Sequence, residues 1–157
     1  VAAIQQLKGF TVSEKNMSEG LLNVVKNTGL KGRWQVLQEN PKVICDTAHN
    51  KEGLRIVLNQ LSKEECRKLH IVLGVVSDKD LGAILPMFPK EATYYFCRPN
   101  IPRGLSKSIL QEKASTFKLF GEKYISVKKA VESALLNASQ EDTIYIGGST
   151  FVVAEII

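Results

Sequence analysis

The sequence predicts an α/β domain of the three-layer, Rossmann-like type with a mostly parallel sheet, and three observations support this class. A short apolar run at Lys42–Cys45 is followed by a polar turn and then by a segment with helical periodicity. From Lys31 onward, such strand-like and helix-like segments alternate, which is typical of parallel sheets with right-handed crossovers. The length of 157 residues, with 44% hydrophobic and 24% charged residues, is that of an ordinary globular domain.

The central stretch of the chain is Lys42–Leu61. Lys42–Cys45 is short and β-prone, Asp46 ends the apolar run, and Leu54, Val57, Leu58 and Leu61 then recur at helical spacing. Ligands bind at the carboxyl ends of parallel strands, so Asp46 and His49 are well placed to contact one. Alternatively, Asp46 only ends the strand, Asn50 caps the helix and His49 is solvated.

The remaining elements follow from the same patterns. The further predicted strands are Gly32–Leu37, Leu69–Val75, Ala92–Cys97, a short edge strand at Lys123–Ile125, and Thr143–Ile146. The predicted helices are a short one capped within Asp78–Asp80 and ending near Leu85, one from Ser106 to about Phe117, and Val127–Ala138.

The first part of the chain has a different character. Residues 1–30 are helix-leaning and interrupted by glycines, with one short helix predicted at Glu19–Lys26. The sequence begins at Val1 without an initiator Met, so we expect residues 1–30 to be the tail of a preceding domain and a linker. Residues 31–157 then form the α/β domain.

The net charge and the cysteines of the chain limit the kinds of function that it can have. A formal net charge of +5 favours anionic partners such as nucleotides and polycarboxylates. No basic run or aromatic-basic interleaving indicates nucleic-acid binding, and no apolar stretch is long enough to span a membrane. The scattered Cys45, Cys66 and Cys97 predict reduced structural thiols in a cytoplasmic protein without a signal peptide, with Cys66 at a helix end.

Several kinds of chemistry are compatible with individual residues. The sequence contains neither of the glycine-rich phosphate-binding patterns, G-x-x-x-x-G-K-[ST] and G-x-G-x-x-G. Asp46 and His49 could ligate a metal, but no third ligand has suitable spacing, so no metal site is predicted. A triad of Ser149, His49 and Asp46 lacks the G-x-S-x-G elbow. The other histidine, His70, opens a buried strand and is interpreted as structural.

The turn after the last strand and two arginines are candidate anion-binding features. Gly147–Thr150 could present backbone N–H groups and hydroxyls to an anion, or Ser149 could simply cap a helix. Arg33 and Arg103 suit bidentate contacts with carboxylate or phosphate, but either could equally be a solvated surface residue.

Taken together, four motifs resemble the folylpolyglutamate synthase/dihydrofolate synthase family, within the Mur ligase superfamily, and specifically its C-terminal domain. The motifs are Gly32–Gln35, Asp46–Asn50 (Asp-Thr-Ala-His-Asn), Pro102–Leu105 and Gly148–Glu155. The resemblance covers the chain from about Leu30 to its end.

The resemblance implies a magnesium- and ATP-dependent ligase of folate biosynthesis and one-carbon metabolism. ATP would phosphorylate a carboxylate of dihydropteroate or of a folate (poly)glutamate, and L-glutamate would then attack the acyl phosphate. An N-terminal P-loop domain of the same chain would hold the nucleotide phosphates, the metal and most of the folate. The present chain alone would therefore be inactive.

The resemblance also implies roles for five residues. Asp46 would accept hydrogen bonds from the ribose of ATP, and Arg33 would pair with nucleotide phosphate. His49 and Ser149 would face the γ-phosphate and the incoming glutamate as catalytic residues. Arg103 would contact a substrate carboxylate of the glutamate or folate tail.

Two other functions remain open from the residues. One is a Mur-type ligase acting on cell-wall precursors, because Asn100–Arg103 resembles the substrate loop of those enzymes. The other is a non-catalytic nucleotide-binding module. An upstream P-loop would favour a ligase over the binding module.

Overall fold

The computed structural model describes residues 2–6, 8–9 and 11–157. It divides into two compact units, Val1–Lys31 and Gly32–Ile157. The assignment of the first unit as the tail of another domain stays a prediction. In the described part of the chain, no helix is both long and apolar enough to cross a membrane.

The first unit contains three short helices, α1 (Ala2–Gln5), α2 (Glu14–Leu22) and α3 (Val24–Thr28). The prediction of one helix at Glu19–Lys26 was wrong because a capping box starts α2 earlier. The Ser13 hydroxyl accepts from the Asn16 amide at 3.1 Å, and the Asn16 side chain accepts from the Ser13 amide at 3.2 Å. Asn23 lies between α2 and α3 in a non-helical conformation.

The second unit is a six-stranded sheet with helices on both faces, which confirms the predicted α/β class. Its strands are β1 (Gln35–Glu39), β2 (Lys42–Cys45), β3 (Leu69–Leu73), β4 (Thr93–Phe96), β5 (Gly121–Lys123) and β6 (Thr143–Gly147). Its helices are α4 (Lys51–Leu61), α5 (Leu81–Ile84), α6 (Lys107–Thr116), α7 (Val127–Asn137) and α8 (Thr150–Ala154), with a 3₁₀ turn at Leu85–Met87.

The strand order is β1-β2-β6-β3-β4-β5, and every neighbouring pair is parallel except β1 with β2. The last strand in the chain, β6, therefore lies between β2 and β3 near the centre of the sheet. All five of its residues are buried, as expected for a strand covered on both faces.

The two faces of the sheet carry separate apolar layers because successive side chains alternate between them. On one face, α4, α5 and α6 pack against Ile44, Tyr145 and Ile71. On the other, α7 and α8 pack against Val43, Ile144 and Val72. The result is the predicted three-layer arrangement.

The edge strand β5 begins two residues earlier than the predicted Lys123–Ile125. Gly121 lies so close to the backbone of Tyr94 that an added Cβ would be 1.9 Å from the Tyr94 carbonyl oxygen. Strand pairing at this position therefore requires a glycine, which the apolar pattern does not reveal.

A buried polar cluster lies at the amino edge of the sheet, where β3 and β6 begin. The Asp142 carboxylate accepts from Arg67 Nε at 3.2 Å and from the Ser139 amide at 2.8 Å. His70 Nε2 lies 3.5 Å from Asp142 Oδ2, and His70 Nδ1 lies 2.9 Å from the Tyr95 hydroxyl. This cluster agrees with the structural interpretation of His70.

Candidate functional site

The turns that follow β2, β3, β4 and β6 meet at the carboxyl edge of the sheet and enclose a small pocket. Its volume is about 240 Å³. Its walls come from all four turns: His49, Val76, Lys79, Arg103, Ser149, Thr150 and Phe151. His49 and Ser149 thus converge on one edge of the sheet, and Arg103 joins them.

The size of the pocket limits what it can bind. Pockets for drug-sized ligands measure roughly 300–1,000 Å³, so about 240 Å³ is too small to enclose a nucleotide. With Lys79, Arg103 and the imidazole of His49 in its walls, the pocket suits one anionic group, such as a phosphoryl group or a carboxylate.

The Asp46 carboxylate accepts hydrogen bonds from two chain segments at this edge. Its Oδ1 accepts from the Ala48 amide and its Oδ2 from the Trp34 amide, both at 2.7 Å. The Thr47 amide also donates to the Gly32 carbonyl at 2.9 Å. The carboxylate is 5% exposed and retains acceptor capacity beyond these two bonds. It therefore ends the strand, as the alternative interpretation held, and still has lone pairs available for a ligand hydroxyl.

His49 is half-buried in a wall of the pocket, and one hydrogen bond defines its tautomer. Its Nδ1 lies 3.0 Å from the Thr47 carbonyl oxygen. A carbonyl can only accept, so Nδ1 carries the proton. Nε2 is then an acceptor in the neutral ring and a donor in the charged ring, so this nitrogen is the one that can serve a ligand.

The helix α4 behind His49 begins as predicted. Asn50 is its N-cap, and the Asn50 side chain accepts from the Gly53 amide at 2.9 Å. The cap fixes the direction in which the chain leaves the turn, and with it the position of His49.

Ser149 is 2% exposed and caps α8, accepting from the Phe151 amide at 3.2 Å. This is the capping role that the alternative interpretation gave it. The capping bond uses the hydroxyl as an acceptor and leaves its proton free to be donated toward the pocket.

The turn before Ser149 is possible only with glycine. Gly148 has φ +90°, and an added Cβ would lie 2.6 Å from Leu73 Cδ1 and 2.8 Å from the Gly74 carbonyl oxygen. Both the backbone conformation and the lack of space exclude a side chain here.

We expect Gly148→Ala to lower the free energy of unfolding by about 2–3 kcal/mol, because strain and a backbone clash add together. Chemical denaturation of the purified chain measures this. Gly82→Ala is the matched control, since its added Cβ meets only the Asp80 side chain at 3.3 Å. Equal stability of the two variants would contradict this account of the turn.

Arg103 is held at the rim by two contacts. Its guanidinium carbon lies 5.1 Å from the centre of the Phe151 ring, and its Nη1 lies 3.4 Å from Asp78 Oδ2. The ring and the carboxylate orient the guanidinium over the pocket.

The sequence analysis missed Lys79 and Phe151. It interpreted Asp78–Asp80 only as a helix cap, and Asp80 does cap α5 by accepting from the Ala83 amide at 3.2 Å. Phe151 belonged to an apolar run that resembles core. In the sequence, Lys79 looks like part of a helix cap and Phe151 like a core residue. Contacts between segments distant in the chain place both in the pocket, and no local pattern reveals such contacts.

Arg33 lies outside the pocket. Its side chain is exposed and does not line the pocket. Its neighbours Gly32 and Trp34 are nevertheless bonded to the Asp46 turn, so the backbone of Arg33 lies at the same edge of the sheet.

Other chemistries find less support here. The ring nitrogen of His49 that a triad would direct to Asp46 is bonded instead to the Thr47 carbonyl, so Asp46 does not orient the imidazole. Within the described ranges, no three His, Cys, Asp or Glu residues form a group that could hold a metal ion.

The buried thiols do not act as nucleophiles. Burial raises the pKa of Cys45 to about 11 and that of Cys97 to about 12, so both stay protonated at neutral pH. Cys66 is exposed and lies in the loop after α4, which corrects its predicted place at a helix end.

The class of this domain follows from its match to a known family. Residues 32–150 match the family described as Mur ligase, glutamate ligase domain, and the chain belongs to that family. Among curated proteins, the chain is 28% identical over 157 residues to dihydrofolate synthase/folylpolyglutamate synthase of Escherichia coli, covering 99% of this chain and 35% of that protein. A cell-wall relative also matches: UDP-N-acetylmuramoyl-L-alanyl-D-glutamate–2,6-diaminopimelate ligase of Listeria monocytogenes, 28% identical over 142 residues, or 84% of this chain and 28% of that protein.

Solved structures agree with these relatives. E. coli FolC in complex with DHPP and ADP matches with a TM-score of 0.84 and 27% identity, covering 99% of this chain and 36% of that one. The bifunctional folylpolyglutamate synthase/dihydrofolate synthase of Yersinia pestis, complexed with AMPPNP and Mn ion, matches with a TM-score of 0.80 and 26% identity, over 99% of this chain and 36% of that one. The present chain thus spans about a third of the length of these relatives.

Proposed function

We propose that the intact protein is an ATP-dependent ligase that adds L-glutamate to dihydropteroate or to folate (poly)glutamates. The observation that carries this proposal is the pocket in which His49, Arg103, Ser149 and Lys79 converge from four separate turns. Hydrogen-bond donors and cations of this kind suit a ligase, which must stabilise negative charge on a transferring phosphoryl group and on its substrate carboxylates. The named relatives supply the substrate class.

The proposed reaction has two steps. An acceptor carboxylate attacks the γ-phosphorus of ATP, which forms an acyl phosphate and releases ADP. The amine of L-glutamate then attacks the acyl carbon, forms the amide and releases inorganic phosphate, while the amine loses a proton to solvent or a base.

Each residue has a proposed role that fits its geometry. The Nε2 atom of His49 and the hydroxyl proton of Ser149 would serve the γ-phosphoryl group and the incoming glutamate. The cations Arg103 and Lys79 would bind a substrate carboxylate. Asp46 would accept from the nucleotide ribose with its remaining lone pairs.

The role of Arg33 rests on its position alone. Its side chain is exposed at the edge where the Asp46 turn lies, so it could reach a nucleotide phosphate without belonging to the small pocket. A guanidinium suits such a contact because it can donate two parallel hydrogen bonds.

The nucleotide and its metal would be held mainly outside this chain. The Yersinia relative was solved with AMPPNP and Mn ion, and we propose ATP with Mg²⁺ for the present protein. As the resemblance implies, we assign the metal to an N-terminal P-loop domain of the intact protein. The cytoplasmic location also stays a prediction.

We expect the 157-residue chain alone to show neither ligase nor ATPase activity, because its sequence contains no phosphate-cradling glycine loop. The measurement is ADP release in the presence of ATP, Mg²⁺, L-glutamate and a folate acceptor. ADP release that depends on both acceptor and glutamate would contradict the expectation.

A panel of acceptors tests the function of the intact protein. Dihydropteroate, a folate monoglutamate and the UDP-linked muramoyl dipeptide are each incubated with ATP and L-glutamate or diaminopimelate, and products are identified by mass spectrometry. We expect glutamylated pteroyl products. Amide formation only with the UDP-linked acceptor would replace the proposal with the second candidate, which the Listeria relative favours.

A further inference from the structure

A second, larger cleft lies beside the candidate site at the carboxyl edge of the sheet. Its volume is about 940 Å³, which is at the upper end of the range for ligand-binding pockets. It lies between the loop that follows β4 and the start of α7, with Arg98, Ile101, Ile125 and Lys128 among its lining residues.

The loop after β4 separates this cleft from the small pocket. Arg103 lines the small pocket, whereas Arg98–Pro102 line the large cleft. Gly104 makes the tight loop possible, since an added Cβ would lie 2.3 Å from the Pro99 carbonyl oxygen. The two cavities therefore lie on either side of one loop.

The lining of the cleft combines positive charge with apolar surface. Arg98 and Lys128 are exposed cations, and neither forms an ion pair with a described residue. Arg98 Nη2 donates to the Pro102 carbonyl at 3.4 Å. Glu155 is the one carboxylate among the lining residues, and its Oε1 accepts from the Asn100 amide at 2.7 Å. Two cations against this single carboxylate leave the lining of the cleft with a net positive charge.

Apolar groups also line the cleft. Pro99, Ile101 and Pro102 come from the loop, and Ile125 from the turn before α7 is 78% exposed. An inorganic anion makes no favourable contact with apolar surface. A chain of methylene groups that carries carboxylates at intervals would contact both the apolar groups and the cations.

We propose that this cleft binds the glutamate extension of the acceptor, an acidic chain of spaced carboxylates leading away from the carboxylate that reacts in the small pocket. This inference rests on the proposed function, because only a ligase with a growing glutamate chain has such a substrate. It goes beyond that function by assigning Arg98 and Lys128 to selection for acceptor length.

The test compares acceptors that differ only in tail length. Steady-state kinetics of the intact protein use folate with one and with four glutamates, in the wild type, in Lys128→Glu and in Lys129→Glu. Lys129 is the matched control because it is adjacent on α7, does not line the cleft and pairs with Glu132 at 2.6 Å.

We expect Lys128→Glu to raise KM for the tetraglutamate acceptor by on the order of tenfold, with less than a twofold change for the monoglutamate and an unchanged kcat. Lys129→Glu should leave both KM values within about twofold of the wild type. Equal changes for the two acceptors, or none for either, would overturn the proposal.

A binding measurement separates this inference from the proposed function. Calorimetric titration of the intact protein with free tetra-γ-glutamate, and separately with inorganic phosphate, requires no catalysis. Binding of the tetraglutamate that weakens in Lys128→Glu but not in Lys129→Glu supports the cleft even if no folate is ligated. No binding of tetraglutamate, or binding of phosphate with equal affinity and equal sensitivity to Lys128→Glu, would overturn it.

Discussion

His49→Ala in the intact protein is expected to lower kcat by about 10²–10³-fold while changing the KM for the acceptor by much less. A contact with a transferring phosphoryl group strengthens as charge develops, so its loss appears in turnover rather than in substrate binding. The free Nε2 in the pocket wall, with Nδ1 bonded to the Thr47 carbonyl, is the geometry behind this expectation. Steady-state kinetics with saturating ATP and glutamate measure the effect.

Two further variants make the result interpretable. Lys51→Ala changes an exposed residue two positions further on, at the start of α4, that does not line the pocket, and its kcat should remain within about twofold of the wild type. His49→Gln keeps a hydrogen-bonding side chain and should recover part of the lost turnover. Unchanged kcat in His49→Ala would show that the histidine is only a surface residue.

Asp142→Ala is expected to destabilise the fold by about 3 kcal/mol, the largest effect on stability that we predict for a polar residue. It removes the acceptor for the buried Ser139 amide and the charge that faces His70. The exposed Arg67 can return to water, which keeps the loss below that of a fully buried pair. Chemical denaturation at neutral pH measures it.

A surface pair provides the control for this variant. Glu132 pairs with Lys129 on α7, and both side chains are more than half exposed. Glu132→Ala should therefore change the free energy of unfolding by less than about 0.5 kcal/mol. A similar loss in both variants would contradict the role assigned to the buried cluster.

The same cluster predicts how stability depends on pH. Burial lowers the pKa of His70, and Lys68 and Arg67 lower it further against the opposing effect of Asp142, so the folded state prefers the neutral imidazole. Burial alone would raise the pKa of Asp142, but the Arg67 guanidinium and the Ser139 amide hold it well below its usual range.

The lowered pKa values of His70 and Asp142 change the stability of the fold in the same direction. The unfolded chain binds a proton at His70 below about pH 6.5 and at Asp142 below about pH 4, while the folded chain resists both protonations. Stability should therefore decline as the pH falls through these values. Between pH 7 and pH 4, the free energy of unfolding of His70→Gln should decline less steeply than that of the wild type. An identical slope would contradict the role assigned to His70.

The sequence was sufficient for the parts of the fold that local patterns determine. Lys42–Cys45 could be identified from its apolar run, and the Asn50 cap from a polar residue directly before helical periodicity. It was insufficient at β5, where Gly121 passes against the Tyr94 backbone, a contact between elements distant in the chain. The capping box of Ser13 and Asn16 was a local signal that the analysis overlooked.

The candidate site could be predicted only in part for a related reason. His49, Arg103 and Ser149 stand in recognisable motifs, and their convergence follows from strand ends that share one edge of the sheet. Lys79 enters the pocket because the turn after β3 is held to the loop after β4 by a bridge between Val76 and Gly104. No periodicity in the sequence predicts that bridge.

Isotope transfer tests the central claim, acyl-phosphate ligation by the intact protein, most directly. A pteroyl acceptor labelled with ¹⁸O in both oxygens of its reacting carboxylate is incubated with unlabelled ATP and L-glutamate, and the released phosphate is analysed by mass spectrometry. The account predicts one ¹⁸O atom in each phosphate, because the oxygen that attacks the γ-phosphorus leaves with the phosphate when the amide forms. Amide formation with unlabelled phosphate would contradict it.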